Sequence, residues 1–171
     1  MGSDMLIIAV IFAAVLITPF VFFRDGKRNK LKNKLLDSIS KMAEREGCKI
    51  SKFDFLNDAV IAISNDANKL FYICGRQSNI ESLVVGLDNI ISADIFIASR
   101  TVDVNGNGHK VIEKVAIVLE GKSAKSTNVR LSFYDDQTDG FSLSGELQLA
   151  EKWNAIINES IAVASKNGKS A

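Results

Sequence analysis

Two short acidic stretches carry residue types at a spacing that could bind a hard cation. Asp103, Asn105, Asn107 and Gly108 match the first half of a D-x-[DN]-x-[DN]-G calcium loop, in which alternate oxygens converge on the ion and glycine permits the turn. The second half departs from that pattern, because Lys114 stands at the twelfth position and Glu113 falls one place early. Asp135, Asp139, Gly140 and Glu146 have the complementary fault: Glu146 is at the twelfth position, but Gln137 occupies the third. Both stretches follow segments that read as strands, where an EF-hand needs a helix. Polar turns are the expectation at both, and Asp103, Asn105 and Asn107 form the better calcium-like loop.

Proton-transfer and nucleophilic chemistry find little support. His109 is the single histidine and sits at an expected hairpin tip without a predicted cysteine or carboxylate partner, so it reads as a solvated turn residue. Cys48 and Cys74 are too far apart for a metal knuckle and read as small core residues. The chain has no G-x-S-x-G elbow and no glycine-rich phosphate loop with its lysine. The expectation is a chain without enzymatic activity, catalytic residues or a cofactor.

The elements that would position these residues follow from periodicity. From Lys27 to Glu46, Leu31, Leu35, Ile39, Met42 and Ala43 recur at helical spacing between charged residues, which predicts an amphipathic helix stopped at Gly47. Its apolar stripe could pack on the domain, pair with a second copy or lie along a lipid surface, and packing on the domain is the default. After Lys49 the pattern changes to short runs rich in Val, Ile and Phe between Asn, Asp, Gly and Ser turns. Strands are expected near Ile50–Phe55, Ala59–Ser64, Lys69–Cys74, Leu83–Val85, Ile91–Asp103, Val111–Glu120 and Val129–Tyr134. Asn65-Asp66-Ala67-Asn68 and Asn105-Gly106-Asn107-Gly108 supply residues that accept the positive φ of tight hairpins. A last helix from Glu146 to Lys166 aligns Leu149, Trp153, Ile156, Ile157, Ile161 and Ala164 on one face. Strands followed by one closing helix make an α+β or capped-barrel plan.

Ahead of these elements, Met5 to Phe23 is an uncharged apolar run followed by Arg24, Lys27, Arg28, Lys30, Lys32 and Lys34. As a helix it spans about 28 Å, close to the hydrocarbon thickness of a bilayer, and the basic cluster behind it points to the cytoplasm. The expectation is a transmembrane anchor over residues 1–26, an amphipathic juxtamembrane helix over 27–48 and a folded domain over 49–171. That organisation would make the chain a single-pass inner-membrane protein with its N-terminus outside, contacting membrane lipid through the anchor. The full chain carries 21 basic and 20 acidic residues, and with the basic cluster set aside the remainder is mildly acidic. A nucleic-acid partner is not expected, since such proteins present a basic face with interleaved aromatics.

The order Ala59-Val60-Ile61-Ala62-Ile63-Ser64, a turn, Lys69-Leu70-Phe71-Tyr72-Ile73, then Leu87, Ile90, Ser92 and Asp94 in an L-x-x-I-x-S-x-acid pattern resembles the bacterial pleckstrin-homology-like modules. The likeness extends over Ile50 to Ser165 and takes in the helix carrying Trp153. It implies an N-terminally anchored protein whose pleckstrin-homology-like domain is a strongly bent antiparallel sheet or partial barrel of about seven strands closed by a C-terminal helix. It also implies attachment rather than chemistry, with lipid headgroups, peptides or neighbouring subunits as ligands. Phosphoinositide binding by such domains needs several cations around the first hairpin, whereas here only Lys69 and Arg76 are offered and the turn holds Asp66. The function expected is a membrane-anchored interaction or scaffold module for a protein partner of undetermined identity and stoichiometry. The alternative is an anionic-lipid surface sensor that uses the basic segment with the domain.

Overall fold

The computed structural model describes residues 30–75, 81–104, 107–123, 128–140 and 143–167. A helix over 30–45 (α1) precedes strands Lys52–Phe55 (β1), Ala59–Ser64 (β2), Lys69–Cys74 (β3) and Glu81–Gly86 (β4). A single 3-10 turn, Leu87–Asn89, leads into Ile90–Val104 (β5), Asn107–Gly121 (β6) and Val129–Asp135 (β7). The short helix Asp136–Asp139 (α2) and the 22-residue helix Glu146–Asn167 (α3) complete the described chain.

The strands form two antiparallel sheets, β1-β2-β3-β4 and β5-β6-β7. This corrects the expectation of one strongly bent sheet or partial barrel: the strands do not close into a barrel. The division falls at the 3-10 turn between β4 and β5, whose Leu87 side chain is fully buried in the core. The junction is tied to the β2–β3 hairpin. Leu87 donates its N–H to the Asn68 carbonyl at 2.9 Å, and Asn68, at φ +50°, donates its side-chain amide to Asp88 at 2.7 Å. Asparagine tolerates this left-handed conformation better than most residues, so one turn serves both the hairpin and the corner.

β2 and β3 are buried almost end to end, since the first sheet is covered on both faces. Val60, Ala62, Phe71 and Ile73 meet Leu35, Ile39 and Ala43 of α1. Ile61, Ile63, Leu70 and Tyr72 point the other way, into a larger core with Val115, Ile117, Leu119, Leu131 and Phe133 of the second sheet. The same core holds Ala150, Trp153, Ile157 and Ile161, the apolar stripe of α3. The Trp153 indole N–H donates to Asp54 of β1 at 2.9 Å, and the Tyr72 hydroxyl donates to the Ser132 carbonyl at 2.8 Å, joining the two sheets. α1 stops where glycine allows it: Gly47 takes φ +66°, Cys48 N–H reaches the Ala43 carbonyl and Gly47 N–H the Glu44 carbonyl, a Schellman close.

The expected transmembrane anchor over 1–26 lies outside the described residues. Among the described residues no helix is long and apolar enough to cross a membrane. α1 carries Lys30, Lys32, Lys34, Asp37, Lys41, Glu44 and Arg45, and its apolar stripe is spent on the first sheet. The single-pass, inner-membrane reading with the N-terminus outside is corrected accordingly and goes no further.

Candidate functional site

The residues singled out for chemistry do not gather into one site. Asp103 is exposed near the end of β5, Asn105 lies outside the described residues, and Asn107 opens β6. Asp135, Asp139 and Glu146 are each engaged locally. Asp135 pairs with Lys114 at 3.1 Å and caps α2, Asp139 accepts the Asp135 N–H at 2.8 Å, and Glu146 accepts from the Asn57 amide and the Ser144 N–H. Among the described residues no group of three or more His, Cys, Asp or Glu side chains could hold a metal ion. His109 is exposed on β6. Tyr134 sits beside the second acidic stretch and donates its hydroxyl to the Gly140 carbonyl at 2.7 Å. Burial, then the carboxylates of Asp136, Asp139, Glu146 and Asp135, push that hydroxyl above the usual tyrosine range.

The basic cluster is likewise dispersed. Arg24, Lys27 and Arg28 lie outside the described residues, while Lys30 and Lys34 are exposed on α1. Lys32 alone reaches the domain, with its ammonium 5.3 Å from the Phe55 ring centroid. It borders a pocket of about 300 Å³ lined also by Asn57 and Glu146. That pocket is the joint at which α3 is capped, and its carboxylate is already consumed by the Ser144 and Asn57 donors. Lys69 is held by Glu46 at 2.6 Å, and this hydrogen bond raises its ammonium above the ordinary lysine value.

The feature that remains open is the outer edge of β5. At 15 residues it is a long strand to leave at the margin of a sheet. Two local devices shape it. Between Ile90 and Ser92 the pairing with β6 skips Ile91, a bulge that leaves this isoleucine 54% exposed. One rung further on, the Asn158 side chain of α3 takes the place of a neighbouring strand. Its Oδ1 accepts the Ala93 N–H at 3.0 Å, and its Nδ2 donates to the Ala93 carbonyl at 2.8 Å. One helical turn earlier, the Asn154 Oδ1 atom is buried without a hydrogen-bond partner among the described residues.

Beyond Ala93 the edge lacks such a cover among the described residues. Alternate residues of an antiparallel strand turn their backbone groups to the same side, so Ile95, Ile97 and Ser99 present theirs as Ala93 does; the register shift between Ala98 and Ser99 is taken up by an extra residue, Glu113, on β6. Ile97 is 46% exposed, and Phe96, also exposed, stacks under the Arg130 guanidinium at 4.3 Å. Asp94 is exposed, and Arg100 bridges Glu113 and Asp136 at 3.2 and 3.5 Å while staying half-exposed. Sequence reasoning placed β5 but missed this edge. The available signal was Asn154 and Asn158, four residues apart inside an amphipathic helix, where asparagine is a poor helix former unless its amide bonds elsewhere.

No protein-family model, curated protein or solved structure matches the chain.

Proposed function

We propose that this protein is a non-enzymatic interaction module whose β5 edge accepts an extended segment of a protein partner. The single observation that carries the reading is the Asn158 amide on Ala93: the chain supplies a strand mimic for one rung and, among the described residues, leaves the next rungs, Ile95 and Ile97, open. An added strand would gain main-chain hydrogen bonds from that edge and take its selectivity from alternate side chains against Ile95, Phe96 and Ile97. The resemblance to pleckstrin-homology-like modules supports the same reading. The residues that carry it lie at the junction of the two sheets: Leu87 and Ile90 are buried there, and Ser92 donates to Asp94 at 3.0 Å.

The test is selection of peptides from a randomised library on the full chain, compared with Ile97→Pro. Proline at an edge position removes an outward N–H without breaking the β5–β6 ladder. The expected result is a set of extended peptides with alternating apolar residues that bind the variant about tenfold more weakly, the effect of about one backbone hydrogen bond. Selection of no peptide, or equal binding to both chains, refutes the reading.

A further inference from the structure

We infer that the strand added to the β5 edge is β5 of a second copy of this chain, running antiparallel with Ile97 on the two-fold axis; this rests on the reading of that edge as a docking strand. The argument is self-complementarity. In an antiparallel pair centred on Ile97, residues three places to either side face each other, so Asp94 of one copy meets Arg100 of the other, and the pairing occurs twice. Ile95 then faces Ser99, and Phe96 faces Ala98. The odd positions exchange backbone hydrogen bonds, because their N–H and C=O groups point outward. The even positions fall at the closer, non-hydrogen-bonded sites, where Asp94 and Arg100 lie nearest to one another.

Four further observations bear on this arrangement. Ile97 is exposed and would cover its own copy at the centre. Asp94 and Arg100 lie on the same side of β5, two positions either side of Ala98 and Phe96, so both charges flank one apolar strip. Asn158 closes the edge at Ala93, which ends the shared ladder after the Ile95–Ser99 rungs, so each copy's β5 must turn away beyond Arg100. The guanidinium of Arg100 has donors to spare beyond its contacts with Glu113 and Asp136.

Sedimentation of the full chain over a range of concentrations tests the inference, using wild type, Asp94→Arg, Arg100→Asp and an equimolar mixture of the two variants. Each reversal alone sets like charges opposite each other twice and is expected to weaken dimerisation on the order of 30-fold. The mixture restores both opposite-charge pairs in a heterodimer and returns the affinity to within about threefold of wild type. Restoration also shows that both variants fold. A wild type that stays monomeric at every concentration overturns the inference, as does a dimer indifferent to the reversals or a mixture that does not recover. Peptide selection with the Ile97→Pro control separates the two readings. A monomer that still selects proline-sensitive peptides removes the second copy and keeps the docking edge, whereas failure of both removes both.

Discussion

Replacing Asn158 by alanine probes the seam between α3 and β5 directly. The side chain makes three hydrogen bonds: it accepts from the Ala93 N–H at 3.0 Å and donates to the Ala93 carbonyl at 2.8 Å and to the Asn154 carbonyl at 3.1 Å. The two bonds to Ala93 contribute about 1 kcal/mol each, and Ala93 is 2% exposed, so its orphaned N–H adds about 1 kcal/mol of desolvation cost. Alanine returns about 0.6 kcal/mol through its better helix propensity. The balance is a loss of roughly 2 kcal/mol, read as a lower denaturant midpoint at unchanged slope. Hydrogen exchange supplies the local readout, with the Ala93 amide losing protection before the amides of β6. A stability change under about 0.5 kcal/mol together with unaltered exchange at Ala93 would refute the strand-mimic argument.

Two other outcomes follow from the packing and from the tyrosine. Ile39 is fully buried between α1 and the first sheet, so Ile39→Ala is expected to cost about 2–5 kcal/mol, while Lys34→Ala on the exposed face stays within about 0.5 kcal/mol; equal effects in chemical denaturation would mean that α1 does not cover the sheet. Burial and neighbouring carboxylates raise the Tyr134 hydroxyl above its ordinary value of about 10, so the folded state holds that proton more tightly than the unfolded chain. The resulting stabilisation is complete below about pH 10 and is lost as pH rises through the folded value. Thermal midpoints should fall on that alkaline limb in wild type and fall less steeply in Tyr134→Phe, and identical slopes would count against the assignment.

Much of the secondary structure is legible in the residues because each signal is local. The run Ala59–Ser64, the turn Asn65 to Asn68 and the run Lys69–Cys74 form a hairpin over those ranges, and Gly47 ends α1 where its left-handed conformation permits. Unbroken apolar runs in β2 and β3 also announce strands buried on both faces, although not what buries them. The candidate site was far less legible. Its calcium-like spacing rested on side chains that the fold engages separately or that lie outside the described residues. Its actual opening depends on which strand ends a sheet.

The residue pattern alone determined that seven extended runs would be followed by one amphipathic helix, since periodicity and turn chemistry act within a few neighbours. Tertiary structure decided the rest. The two-sheet division arises from a buried Leu87 and its bond to Asn68, and the cover on the first sheet comes from α1. The open margin of β5 is set by Asn158, 65 positions away along the chain from the backbone it caps. Pairing partners so distant in sequence are chosen by the burial of shared faces, which no local window of residues contains.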